Sequence, residues 1–224
     1  RAPDVHQPVT RVVQIENTHN LAGGVCYPLA RVRALRRLTR AMGLALHMDG
    51  ARLANAAVAQ GVSAQEYGRL CDSATLCLSK GLGCPVGTVL AGPADFIERA
   101  RRIRKMLGGG MRQAGYLAAA GLYALRYHVE RLAEDHAHAR LLAEGLAGMP
   151  GIEADPAAVQ TNLVFFRVAG GPARATELVT RLKSGGVLVS LLGPDLARAV
   201  THLDVRRADI EKALRAVTRA MRQR

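Results

Sequence analysis

Tryptophan is absent from this sequence, and the other aromatics make up only 4% of residues. A core of stacked rings is therefore excluded, and Ala, Leu and Val must fill it. Lysine is nearly as scarce. Lys80, Lys105, Lys183 and Lys212 are the only four, so most positive charge is arginine. Cys26, Cys71, Cys77 and Cys84 form no CxxC pair, which excludes zinc-ribbon spacing, and no metal site is expected. Four free thiols fit a reducing, cytoplasmic setting. Charge or glycine interrupts every apolar run before it could span a bilayer, so no transmembrane helix and no membrane partner are expected. No secretory leader opens the chain, which starts at Arg1 rather than Met. A processed product or the remainder of a longer chain is expected, and an organellar leader upstream of Arg1 is compatible with that.

What is present is a globular composition, with 224 residues, 49% hydrophobic and 22% charged. That length allows one large domain or a large one with a small one. The net charge of +13 would suit an anionic partner. The arginines, however, are scattered through Ala- and Leu-rich helical stretches, with one denser run from Arg99 to Lys105. Little aromatic character interleaves with them, and no recognition-helix or RNA-binding signature occurs. The expectation is a solvated basic surface and no nucleic-acid partner.

Along the chain, β-rich VTRVVQIE delivers the polar loop ENTHN, and LARVRALRRLTRAMG repeats apolar residues every three or four positions. Apolar LALHM stops at Asp49-Gly50, ARLANAAVA is helical, and SATLCLSK reads as a buried strand ending at Lys80. Val86 to Ala91 is one more strand. This alternation predicts an α/β fold with a layered sheet. Beyond Pro93 come a basic helix interrupted by three glycines and one long helical stretch from about Gly115 to Gly148. Strand NLVFFRV, helix ATELVTRLKSGG, strand VLVSLL and a terminal helix from Ala208 follow. The expected domains are residues 1–126, a sheet-based part, and residues 127–224, a linking helix with a small α+β unit.

Three predicted strands end in polar groups: Glu16-Asn17-Thr18-His19-Asn20, Asp49-Gly50-Ala51-Arg52 and Ser79-Lys80-Gly81. Open α/β sheets bind ligands outside the carboxyl ends of parallel strands. If the three strands are parallel neighbours, Asn17, Asp49 and Lys80 converge on one crevice. A desolvated strand-end lysine is a nucleophile for an aldehyde, and an aspartate can hold a pyridine nitrogen protonated. Local evidence leaves plainer readings open: an ordinary strand-end lysine, a helix cap at Asp49 and a surface arginine at Arg198. His47 reads as a satisfied core residue, and His128, His136 and His138 read as surface.

Taken in order, ENTHN, HMDGARLANA, LSKGLGCPVG, RKMLGGGMRQAG and the later RAVTHLDV resemble the low-specificity L-threonine aldolases. These belong to the fold-type-I pyridoxal phosphate enzymes of the β-eliminating-lyase superfamily. The resemblance implies that Lys80 is the Schiff-base lysine, Asp49 the partner of the pyridine nitrogen, and Arg52 a contact of cofactor and substrate. It implies that Arg198 clamps the substrate carboxylate, and it allows a cofactor contact for Asn17. It offers His6 as a loop histidine acting near the β-hydroxyl. Lys105 and Arg112 become basic residues lining a pocket, in their own chain or a neighbouring subunit. The implied cofactor is pyridoxal 5'-phosphate, the substrate an amino acid, and the assembly a homotetramer or homodimer. The implied reaction cleaves L-threonine or L-allo-threonine to glycine and acetaldehyde. The alternatives are another fold-type-I lyase or aminotransferase, and a truncated, inactive or assembly-only chain. The family's phosphate-cradling loop and ring-stacking histidine lie upstream of the part resembled, so residues 1–224 alone are expected to bind the cofactor weakly.

Overall fold

The computed structural model describes residues 5–222. In chain order the elements are β1 (Val12–Glu16), α1 (Leu29–Ala41), β2 (Ala45–Asp49), α2 (Leu53–Gln60), α3 (Ala64–Gly68), β3 (Ser73–Cys77) and β4 (Thr88–Ala91). Then follow α4 (Ala94–Met106), α5 (Gly115–Tyr127), α6 (Leu132–Ala147), β5 (Ile152–Ala154) and β6 (Leu163–Val168). The last are α7 (Gly171–Ser184), β7 (Ser190–Leu191), β8 (Leu196–Val200) and α8 (Arg207–Arg222). No helix among the described residues is long and apolar enough to cross a membrane.

Two four-stranded sheets result, ordered β1-β2-β3-β4 and β5-β6-β8-β7. In the first, β1, β2 and β3 are parallel neighbours and β4 is antiparallel. The second is antiparallel throughout. The α/β class read from the alternating pattern is the class observed. Parallel pairing needs a crossover, and the periodic stretch Leu29–Ala41 supplies it between β1 and β2. Val32 of that helix is fully buried beside Leu46, Met48 and Tyr67. The following helix, α2, is LANAAVAQ, with Leu53 through Ala57 all buried. Its small side chains let it pack between the first sheet and α6.

The second sheet is covered by α6, α7 and α8, whose Leu142, Leu146, Leu178, Leu182, Ile210 and Val217 meet Val164, Phe166 and Ala197 in one apolar cluster. At about 1.5–3 kcal/mol for each large aliphatic side chain buried, this cluster is a main source of stability.

Several sequence expectations are corrected here. The helix expected from Gly115 to Gly148 is two helices, broken at His128–Arg131, where the His128 ring turns inward to bond the Leu82 carbonyl. The strand VLVSLL is reduced to Ser190–Leu191. LARAV and the short run Ile152–Ala154, neither read as strands from the sequence, are β8 and β5. LARAV owes its strand to partners on both sides, β6 and β7, rather than to its own propensity.

One polar contact organises the start of the first sheet. Asp72 receives both arms of Arg36 from α1, the longer at 2.8 Å, and the backbone N–H of Leu46 at 2.7 Å. The Arg36 hydrogen bond, with the Leu46 N–H, holds the Asp72 carboxyl below the ordinary carboxylate range despite some desolvation. A depressed folded pKa adds stability that is present above the unfolded value and is lost as pH falls through the folded one. Asp72→Ala is therefore expected to lower unfolding free energy by about 1–2 kcal/mol at neutral pH, a figure discounted for partial exposure. In urea titrations across pH, that difference should shrink as pH drops below the ordinary aspartate value. A pH-independent difference would refute the ionic origin.

Candidate active site

The parallel order β1-β2-β3 brings three strand ends to one edge. Glu16 pairs with Asp49 in register, and the N–H of Asn17 donates to the Asp49 carbonyl at 2.8 Å. Lys80 follows three residues after β3. Asn17 is fully buried, and its Oδ1 accepts from the Tyr27 N–H at 3.1 Å, so it shapes the loop beneath the edge. Its Nδ2 is buried without a partner among the described residues.

Asp49 is half-buried. Its Oδ1 accepts from the Ala51 N–H at 3.0 Å and from the Thr75 hydroxyl at 3.4 Å, leaving Oδ2 unbonded among the described residues. Gly50 permits this placement. A Cβ there would stand 2.2 Å from the Thr75 carbonyl oxygen, a backbone atom that cannot yield. Lys80 opens onto a cleft of about 400 Å³ that Arg52, Ser79, Gly83, Asn162 and His202 also line. Lys80 is exposed, so the described residues alone do not supply the desolvation expected of its amine at a ligand. A Lys-Gly-Leu-Gly turn has little side-chain mass with which to cover its own lysine.

The second sheet contributes Arg198, placed by the register of β8 opposite Phe165. Its Nη1 donates to Asn20 Oδ1 at 2.9 Å, and Arg52 Nη1 donates to the same oxygen at 3.3 Å. Guanidiniums from the start of α2 and from the second sheet thus meet at one amide oxygen. Among the described residues, the Nε atoms of both are buried without a partner. Burial, and then the charge of Arg198, push the Arg52 pKa down, and Glu16 offsets this in part. The arrangement suits an anion with two acceptor oxygens, a carboxylate above all.

Of the candidates among the described residues, Lys80 and Arg52 line the cleft, Asn17, Asp49 and Arg198 do not, and the rest lie elsewhere. Lys105 is exposed in the last turn of α4, its side chain lying over Gly110, and Arg112 is exposed between α4 and α5. Neither lines this cleft. His6 is exposed ahead of β1, also outside the lining, so its role rests on the resemblance alone. His128 and His136, read as surface from the sequence, are corrected. His128 Nδ1 bonds the Leu82 carbonyl at 2.7 Å, and His136 Nε2 bonds Asn55 Nδ2 at 3.1 Å. Each turns away from solvent toward a polar atom that helix periodicity cannot reveal. Asn20 was missed as a site residue. It stood within ENTHN, but its partners lie 32 and 178 positions away.

Comparison with known proteins places this geometry in a family. The model of the beta-eliminating lyase family matches residues 1–169, and the chain belongs to that family. It is 47% identical over 209 residues to a low specificity L-threonine aldolase of Escherichia coli, covering 92% of this chain and 59% of that protein. It is 41% identical over 215 residues to low-specificity L-threonine aldolase 1 of Arabidopsis thaliana, covering 96% and 60%. The chain thus spans about 60% of the length of the curated relatives it matches. A threonine aldolase structure from Leishmania major superposes with a TM-score of 0.78 at 21% identity, covering 97% of this chain and 63% of that one, which shows the shared fold.

The group this family implies is pyridoxal phosphate, and the residues present fit its ring side and a substrate carboxylate. The unbonded Asp49 Oδ2 offers a partner for a ring nitrogen, and the orphaned Nε atoms of Arg52 and Arg198 offer donors for a carboxylate. Without such an anion the two like charges cost stability. Arg198→Met is expected to raise the unfolding free energy of the ligand-free chain by about 0.5–1 kcal/mol, measured by denaturant titration. A loss of stability instead would show that the Asn20 contact outweighs the repulsion.

Proposed function

We propose that the whole protein is a pyridoxal-phosphate-dependent aldolase that cleaves L-threonine or L-allo-threonine to glycine and acetaldehyde. The observation that carries this reading is the paired guanidiniums of Arg52 and Arg198 on Asn20, beside a strand-end aspartate and lysine. The similarity to curated low-specificity L-threonine aldolases supports the substrate class. When bound, the cofactor supplies an aldehyde that condenses with an amine and a ring that takes up the electron pair of the broken bond.

The chain's own residues do the rest. Arg198 and Arg52 grip the carboxylate, which fixes the amino acid's orientation and decides which bond at Cα breaks. Asp49 Oδ2 holds a proton at the ring nitrogen, and Lys80 Nζ is the amine for the cofactor aldehyde and carries protons to and from the substrate nitrogen and Cα. A base removes the β-hydroxyl proton, the Cα–Cβ electrons pass to Cα, the aldehyde departs, and Cα takes a proton to give glycine. His6 is the base assigned on resemblance. Asn17 supports the Asp49 edge, and Lys105 and Arg112 serve a pocket completed by a second subunit.

A homodimer or homotetramer is part of this reading. It is supported by the outward apolar side chains of Ile103, Met106, Leu107, Tyr116, Leu122 and Tyr123 on and between α4 and α5. A reducing, cytoplasmic setting is supported by four free cysteines, with burial raising the Cys26 and Cys71 thiols to about 11.

Borohydride reduction in the presence of pyridoxal phosphate, followed by peptide mapping, should place the label on Lys80 rather than on Lys105, Lys183 or Lys212. Asp49→Ala should retain that label while glycine formation from L-threonine falls by at least about a hundredfold. A label elsewhere, or undiminished turnover in that variant, would overturn the assignment.

A further inference from the structure

Behind the turn that carries Lys80, whose Leu82 packs with Leu78, Cys84 and Leu132, stand two histidines that have no part in the proposed chemistry. The turn closes on itself, with the Gly83 N–H donating to the Lys80 carbonyl at 2.9 Å and the Cys84 N–H to the Leu78 carbonyl at 3.0 Å. Between these bonds the Leu82 carbonyl points outward, and His128 Nδ1 meets it at 2.7 Å. A carbonyl only accepts, so Nδ1 carries the proton. On the other flank, Gly81 packs flush against α2 and α6. A Cβ there would lie 2.9 Å from Leu132 Cδ2 and 3.3 Å from Asn55 Oδ1. Asn55 is 2% exposed, and its Nδ2 donates to His136 Nε2 at 3.1 Å. An amide nitrogen only donates, so His136 is neutral and also bears its proton on Nδ1. Its pKa is lowered by burial, with neighbouring Asp135 opposing, which keeps the accepting lone pair available.

We propose that His128 and His136, the latter through Asn55, are positioning residues that fix the height and direction of the Lys80 turn over the cleft. This rests on the reading of Lys80 given above. His128 caps the end of α5 and bonds the turn directly, whereas His136 lies one turn inside α6 and meets the Gly81 flank only through Asn55. Lysine on a loose turn would present its amine over a range of positions, whereas condensation with an aldehyde requires one. Neither histidine touches substrate or cofactor in this account.

The test uses wild type, H128L and H136L, together with H128N and H136Q. Asparagine reproduces the Nδ1 donor and glutamine an acceptor in place of Nε2. Amide hydrogen exchange at Gly83 and Cys84 is expected to speed up about tenfold in each leucine variant while amides of β6 and β8 stay unchanged. H128N and H136Q are expected to keep wild-type protection. Reductive labelling with pyridoxal phosphate should show Lys80's share of label relative to Lys183 falling about fivefold in the leucine variants and recovering in the conservative ones. Leucine variants within twofold of wild type, or conservative variants as disruptive as leucine, would overturn the proposal. The unaltered protein provides a check independent of any variant. Histidine ¹⁵N spectra should show the Nδ1–H tautomer at both positions, and an Nε2–H tautomer at either would overturn the assigned bonds. If wild type takes no label at Lys80, the cofactor reading fails by itself, and the exchange and tautomer results still decide whether the histidines hold the turn.

Discussion

Two guanidiniums sharing one amide oxygen is a costly arrangement for a protein to hold without a ligand. Arg52 comes from the start of α2, just beyond the first sheet, Arg198 from the middle of β8 in the second, and among the described residues Asn20 Oδ1 is the acceptor they share. Like charges repel more strongly as water is removed, and among those residues the Nε atoms of both arginines are already buried without partners. The seam between the sheets must therefore be held by other contacts. It carries Thr161 to the Gly24 carbonyl, the Cys26 N–H to Gln160, and Asn55 to His136. These bonds join the two halves beside the arginine pair.

The same seam explains why the cleft sits where it does. Parallel order puts the carboxyl ends of β1, β2 and β3 at one edge, which delivers Asp49 and the Lys80 turn. The second sheet then closes that edge with Arg198 and the loop after β8. A carboxylate held between Arg52 and Arg198, with a ring nitrogen at Asp49, would lie along the crevice between the sheets. Chemistry at Cα would take place over the seam.

Much of this was legible in the residues. Three β-rich runs ending in Asn17, Asp49 and Lys80 pointed to the parallel edge, although β1 carries exposed Gln14 at its middle and β3 is only half-buried. Gly50 and Gly81 stand beside two of those ends, and the structure shows what a side chain at each would meet. Other features could not be read locally. The break between α5 and α6 falls in a stretch whose composition favours helix throughout, and it is set by the turn of His128 toward Leu82. LARAV became a central strand because β6 and β7 flank it. Asn20, His128 and His136 look like ordinary polar residues on a loop and on helices. Their roles come from partners dozens of positions away, which periodicity does not encode. The exposure of Lys80 was likewise invisible, since what covers a strand-end side chain is decided by distant segments.

The central claim is that Arg52 and Arg198 form the carboxylate-binding element at the edge that presents Asp49 and Lys80. A crystal structure of the protein with pyridoxal phosphate and glycine tests it most directly. The account requires the glycine carboxylate to lie between the two guanidiniums, taking hydrogen bonds from both, with the cofactor ring nitrogen against Asp49. A carboxylate bound elsewhere, with both arginines still closed on Asn20 alone, would contradict it.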